Sequence, residues 1–230
     1  MNIGILGTGM VAQTIAPKLV ELGHVVMIGT RNIEATLSNT SPNQYGMPPF
    51  SAWFKDHPDV KLGTYFETAV FGEVLMNCTS GGASLDALKL CGEKNLKEKI
   101  LIDIANPLDF SKGFPPSLSV CNTDSLGEQI QRTFPELKVV KALNTLNASL
   151  MINPSLIPAD HNLFICGNDE AAKVTVVNLL KEFRWKEKNI IDLGDITNAR
   201  ATEMLLPIWI RLYGKYKTPL FNFTMTFGKT

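Results

Sequence analysis

Several things are scarce in this sequence, and each scarcity excludes something. Basic and acidic residues balance at 22 each, for a net charge of zero. No cationic surplus is available to neutralise a phosphate backbone, which argues against general nucleic-acid binding. No apolar run reaches the roughly 18 residues of a membrane helix. The apolar start, Met1 to Ile28, is broken by Gly4, Gly7, Gly9 and Gly23 and has no basic leading region. Neither a membrane segment nor a signal peptide is expected. The four cysteines, Cys78, Cys91, Cys121 and Cys166, stand far apart with no CxxC pair and no Cys/His cluster. That usage fits a reduced, cytoplasmic compartment and buried thiols, not a disulfide framework or a metal site. There is no HExxH, no G-x-S-x-G and no P-loop.

What is present is the composition of an ordinary folded chain, 45% hydrophobic and 19% charged over 230 residues, and disorder is excluded over most of its length. Short β-branched or apolar runs alternate with helical periodicity. Strands are predicted at Asn2–Leu6, Val25–Ile28, Val60–Tyr65, Val74–Cys78, Lys99–Ile104 and Leu137–Ala142, and again at Leu163–Cys166 and Ile190–Leu193. Helices are predicted at Met10–Leu22, Glu67–Phe71, Ala83–Leu90, Ser125–Thr133 and Glu170–Phe183. A last one runs from about Asn198 to Tyr213, with Pro207 inside it. The stretch Ile33–Asp59 reads as a long loop with a little helix at Ser51–Lys55, and Pro107–Pro116 reads as loop. The alternation predicts an α/β chain: a Rossmann-type, doubly wound, mostly parallel sheet. Residues 1–145 would form the nucleotide-binding domain. Residues 146–230 would add a strand-helix-strand-helix segment packed on the same sheet, on the acceptor side and available for a homodimer contact.

One motif sits directly between the first strand and the first helix. Gly7-Thr8-Gly9-Met10-Val11-Ala12 is G-x-G-x-x-A. Gly7 permits the tight turn, Gly9 admits a pyrophosphate close to the backbone, and a small Ala12 lets helix pack on strand. The amides of Thr8 to Val11 then face the phosphates, aided by the helix dipole. The end of the second strand selects the nucleotide. An acid there would bond a ribose 2′-hydroxyl, whereas this chain has Gly29-Thr30-Arg31-Asn32 and no acid until Glu34. Thr30 and Asn32 can donate hydrogen bonds, and the Arg31 guanidinium can pair with a 2′-phosphate. NADP(H) is therefore the expected cofactor. Ligands of such sheets lie outside the carboxyl ends of the strands. That rule selects Thr79 and Ser80 with Gly81-Gly82, then Asn106-Pro107, then Ala142 and Asn144.

No catalytic side chain stands out. His24, His57 and His161 are each expected away from the carboxyl end of a strand, so no general base is assigned. Met204, Trp209, Tyr213, Phe221 and Phe223 read as core or dimer contact rather than pocket. Reduction of a carbonyl or imine needs a proton donor beside the hydride acceptor. Transfer between nicotinamide and a flavin-like ring needs mainly stacking and exclusion of water.

The start (Asn2–Arg31), Ile102-Asp-Ile-Ala-Asn-Pro-Leu108, Val140-Lys-Ala-Leu-Asn-Thr145, and Asp192-Leu-Gly-Asp195 leading to Ala199-Arg-Ala201 together resemble the NADPH-dependent coenzyme F420 reductase family. Trp209-Ile-Arg-Leu-Tyr-Gly214 and Asn222-Phe223 extend the resemblance over nearly the whole chain. It implies an NADP(H)-dependent oxidoreductase with a small-molecule hydride acceptor, a deazaflavin (coenzyme F420) or a flavin. It also implies that Gly7, Thr8, Gly9, Met10 and Val11 hold the pyrophosphate, and Thr30 and Arg31 the 2′-phosphate. Thr79, Ser80 and Asn106 would line the ribose–nicotinamide channel, with Ala142 against the nicotinamide. The cofactor domain is also similar to the cytoplasmic part of membrane ferric reductases. Two other readings stay open: a carbonyl or imine reductase of the 6-phosphogluconate-dehydrogenase-like group, and a non-catalytic NADP(H) redox sensor.

Overall fold

A computed structural model describes residues 1–42 and 46–228. The part of the expected long loop at 43–45 and the last two residues of the tail lie outside the described residues. The chain runs β1 (Asn2–Leu6), α1 (Met10–Glu21), β2 (Val25–Thr30), α2 (Ile33–Ser38), α3 (Phe50–Lys55), β3 (Lys61–Thr64), α4 (Tyr65–Phe71) and β4 (Val74–Asn77). It continues through α5 (Gly81–Cys91), α6 (Glu93–Leu96), β5 (Ile100–Asp103), β6 (Leu108–Asp109), β7 (Ser117–Leu118), α7 (Leu126–Thr133) and β8 (Lys138–Ala142). It ends with α8 (Ala148–Ile152), β9 (Leu163–Gly167), α9 (Glu170–Glu182), β10 (Ile190–Asp192) and α10 (Ala199–Tyr216).

Eight strands form one sheet in the order β10-β9-β8-β5-β4-β1-β2-β3. Side chains alternate across it, so each strand feeds two cores. Ile3 and Ile5 of β1 face Ala12, Ile15 and Leu19 of α1, and that core continues over α9 through Val176 and Leu180. Leu6, Leu75, Leu101 and Val139 point to the other face, beneath Ala87 and Leu88 of α5 and Ile130 of α7. Both faces are covered, as a parallel sheet requires. The chain crosses from one side of β1 to the other between β3 and β4, which opens a crevice at the carboxyl rim beside β1.

The structure adds to the sequence reading in several places, helices α6 and α8 among them. The expected loop from Ile33 opens with a helix, α2, which buries none of its six residues and so shows no apolar stripe. Its start is fixed by Asn32, whose side chain accepts from the Ala35 amide at 2.8 Å. The Pro107–Pro116 loop contributes β6, which pairs antiparallel with β7. Finally, β9 runs antiparallel to β8, with Val140 opposite Gly167 and Ala142 opposite Ile165. Only this pairing departs from the parallel pattern of the large sheet.

Candidate functional site

The β1–α1 bend is held by backbone geometry that its glycines permit. Gly7 has φ +106° and donates its amide to the Gly29 carbonyl at 3.0 Å. A Cβ there would stand 2.9 Å from the Cys78 carbonyl oxygen, so β4 closes against the turn. Gly9 is the opposite case: nothing lies within 4 Å of where its Cβ would be. Gly9 caps α1 with no side-chain hydrogen bond, and the first turn carries no acidic residue. The first amides of the helix therefore have no helical partner and meet the positive end of the dipole. The Gln13 side chain donates to the Thr8 carbonyl at 2.8 Å and steadies the bend. An open, uncapped amide cradle of this kind fits a diphosphate.

One strand over, the end of β2 presents Thr30, Arg31 and Asn32. Thr30 is buried and its hydroxyl bonds that of Thr36 at 2.7 Å, which in turn donates to the Asn32 carbonyl. The Asn32 carboxamide oxygen is taken up in capping α2. These two residues thus brace the turn, which leaves the Arg31 guanidinium as its exposed cation. Burial pushes the hydroxyl of nearby Tyr65 up, and the Arg31 charge pulls it partway back.

The ends of β4, β5 and β8 complete the rim. At Gly81 a Cβ would come within 2.1 Å of the Asn106 carbonyl oxygen, so the Thr79–Gly82 loop and the Asn106 turn touch where only glycine fits. The Thr79 hydroxyl donates to the Asn77 carboxamide oxygen at 2.6 Å, while Ser80 is exposed. Asn106 and Asn144 exchange two bonds: Nδ2 of Asn106 to the Asn144 carbonyl at 2.8 Å, and Nδ2 of Asn144 to Oδ1 of Asn106 at 3.0 Å. Leu143 before it sits at φ +64°, a costly conformation of the kind that clusters at functional sites. Oδ1 of Asn144 is buried without a partner, an acceptor lacking a donor. Ala142 is wholly buried and lies under this rim. The structure thus brings Gly7, Thr79, Asn106 and Asn144 together around one crevice, with Thr30, Arg31 and Asn32 at its flank.

The histidines are engaged elsewhere. His24 bonds Glu182 at 2.8 Å, and His57 stacks on Trp53 at 4.2 Å. His161 requires a correction. Because β9 is antiparallel to β8, its start lies at the rim shared with the carboxyl ends of the parallel strands, not away from it. His161 is nonetheless buried and satisfied. The Asn222 Nδ2 group serves both the Asn162 carbonyl and His161 Nδ1, so Nε2 carries the proton and donates to the Pro154 carbonyl at 3.0 Å. Burial pushes the Cys91 and Cys166 thiols up to about 12, far from thiolate. Among the described residues no group of three His, Cys, Asp or Glu could hold a metal ion. No helix among them is long and apolar enough to cross a membrane. Sequence reasoning missed Lys141, Asp103 and Glu203, which meet beneath the rim. A lysine and an aspartate inside apolar strand runs were the available signal.

A doubly wound sheet with an open amide cradle at its switch point defines a Rossmann-type, dinucleotide-binding fold. Residues 2–107 match the family described as NADP oxidoreductase, coenzyme F420-dependent. The F420-dependent NADP reductase of Methanocaldococcus jannaschii is 30% identical over 153 residues, 66% of this chain and 67% of that one. The metalloreductase STEAP3 of Rattus norvegicus is 29% identical over 213 residues, which span 90% of this chain but only 38% of the longer protein. In structure, a candidate F420-dependent NADP reductase from Arthrobacter sp. FB24 superimposes with a TM-score of 0.93 at 54% identity, covering 98% of this chain and 99% of that one. The chain belongs to the coenzyme F420-dependent NADP oxidoreductase family and is an NADP-dependent oxidoreductase.

Proposed function

We propose that this enzyme transfers hydride between NADP(H) and a planar flavin- or deazaflavin-type ring, coenzyme F420 being the favoured acceptor. The observation that carries the reading is the uncapped amide cradle at Gly7–Val11, with the exposed Arg31 guanidinium on the same rim. When bound, the nucleotide supplies or receives a hydride at its nicotinamide ring. The chain's own groups do the rest. The amides of Thr8 to Val11 bind the diphosphate. Arg31 bonds the 2′-phosphate, with Thr30 and Asn32 shaping the turn that presents it. Thr79, Ser80 and Asn106 line the channel toward the nicotinamide end, above Ala142. Asn144 holds the Asn106 side chain in place through two hydrogen bonds. In this reading residues 1–145 hold the nucleotide and residues 146–230 cover the acceptor side.

A planar conjugated acceptor fits a rim whose one histidine, His161, is committed to Asn222 and the Pro154 carbonyl, because such a ring delocalises the charge it receives. The relatives described as F420-dependent support the same choice. The test is to mix the protein with NADPH and oxidised F420, FMN or a 2-imino acid, following loss of NADPH absorbance. Turnover with a ring acceptor is expected. Turnover with the imino acid alone would replace this reading with an imine reductase.

A further inference from the structure

A row of polar side chains crosses the sheet beneath the candidate site. Asn77 closes β4, Asp103 closes β5, and Lys141 is the penultimate residue of β8. They stand side by side in register, Asn77 opposite Asp103 and Asp103 opposite Lys141. All three are fully buried, and Glu203 of α10, 1% exposed, descends onto the row. The Lys141 ammonium meets Asp103 Oδ2 at 2.8 Å, Glu203 Oε1 at 2.8 Å and the Ala105 carbonyl at 2.5 Å, which uses all three of its protons. Glu203 also accepts the amides of Leu126 at 2.9 Å and Gly127 at 3.1 Å, at the start of α7. Asp103 Oδ1 takes the Asn77 side-chain amide at 2.8 Å. Asn77 Oδ1 in turn takes the Thr79 hydroxyl.

Apolar residues of similar volume would fill this space more cheaply. Removing three charges from water costs several kcal/mol per ion before their attraction is recovered. Burial alone would pull the Lys141 ammonium down, yet Asp103 and Glu203 more than reverse it, so it stays charged. None of the three charged groups has exposed surface through which to touch a substrate. What the row does reach is Thr79 at one end and Ala105, the residue before Asn106, in the middle.

We propose that Lys141, held between Asp103 and Glu203, is a positioning residue: it locks α10 to the ends of β4, β5 and β8 and so fixes Thr79 and Asn106 at the nicotinamide end of the site. This rests on the reading of the rim as the NADP(H) site. The row acts through placement alone. Misplacement of a bound reactant by about 1 Å costs on the order of a hundredfold in rate, and a frame of charge-assisted bonds resists such drift.

The test uses the triple variant Asp103→Asn/Lys141→Met/Glu203→Gln, which removes every charge while keeping side-chain size, and the single variant Glu203→Gln. Affinities for NADPH and for 2′,5′-ADP, which carries only the adenosine half, are measured beside kcat and KM for F420. In the triple variant 2′,5′-ADP affinity is expected to hold within about twofold, while the NADPH to 2′,5′-ADP affinity ratio and kcat each fall roughly tenfold or more, the scale of a misplaced reacting group. Glu203→Gln is expected to show the same split, less deeply. Unchanged ratio and kcat in a folded triple variant would overturn the proposal, as would equal loss of both affinities. If the triple variant does not fold, Glu203→Gln decides by the same two readouts. Failure of the unaltered protein to bind 2′,5′-ADP would instead overturn the NADP(H) reading.

Discussion

Asn106 and Asn144 grip each other through two hydrogen bonds of 2.8 and 3.0 Å, and this leaves one buried oxygen of Asn144 with nothing to accept. That oxygen has no surface through which a ligand could reach it, so Asn144 serves the site by holding the Asn106 side chain in place. Asn144→Ala removes the bond to Asn106 Oδ1 and is expected to weaken NADPH by about 1 kcal/mol, the worth of one hydrogen bond. Affinity for 2′,5′-ADP, which lacks the nicotinamide half, should not change. Calorimetry with both ligands checks this, and equal losses would place the Asn106–Asn144 pair away from the nicotinamide end.

The two glycines of the bend separate stability from binding. Gly7 holds φ +106° with the Cys78 carbonyl beside it. Gly7→Ala should destabilise the fold by roughly 2 kcal/mol or more, combining left-handed strain with a clash. Gly9 is extended and faces open space. Gly9→Val should cost about 1 kcal/mol of stability, since valine is a poorer helix N-cap than glycine, and less than Gly7→Ala. Its side chain would fill the cradle, and NADPH affinity should fall by at least about tenfold, the scale of one charge-assisted hydrogen bond. Melting and titration of both variants decide it. A Gly9→Val protein that binds NADPH normally would show that the phosphates lie elsewhere.

What could be read from the chain alone follows from how local each cause is. The Gly7–Ala12 bend was legible because a turn, a close approach and a helix start are chemistry of six adjacent residues. The strands β1, β2, β4 and β5 were legible because both their faces are buried, which makes them continuous apolar runs. Helix α2 was not, since it buries no residue and owes its start to Asn32 and the Thr30–Thr36 contact. The direction of β9 was not, because nothing in Leu163–Gly167 encodes which way its partner β8 runs. That single inversion moved His161 to the other rim. The Lys141 cluster was half legible: Lys141 and Asp103 stand out inside apolar runs, but only the fold joins carboxylates from β5 and α10 on one ammonium.

Arg31 provides the sharpest test of nucleotide choice. It is exposed, it follows the buried Thr30, and the nearest acid in sequence, Glu34, belongs to α2. A guanidinium so placed can bond a 2′-phosphate through paired N–H groups and has nothing equivalent to bond on an unphosphorylated ribose. Arg31→Ala should cost NADPH about 1–3 kcal/mol of binding, the range for a charged hydrogen bond. Affinity for NADH should move little. Equal losses for the two nucleotides would remove the residue from the phosphate contact.

Acid should weaken the clasp between α7 and α10. The Glu128 carboxylate receives Arg200 Nε at 2.8 Å and Nη2 at 2.5 Å, and accepts the Ser125 hydroxyl at 2.7 Å. The Arg200 bonds hold its carboxyl below the usual carboxylate range, with burial opposing them. In the unfolded chain the same group titrates at its ordinary value, near 4.3. As pH falls, the unfolded chain takes up this proton first. The stabilisation is therefore present above the unfolded value and is lost as pH drops through the lower folded one. Arg200 is partly exposed, which limits the effect through solvent screening. Arg200→Gln is expected to lower stability at neutral pH. That difference should shrink toward zero below the folded pKa, where both proteins carry a protonated Glu128. Denaturant titrations from neutral to strongly acidic pH measure it. A gap that stays constant across that range would mean that Arg200 contributes packing alone and that Glu128 keeps its ordinary affinity for protons.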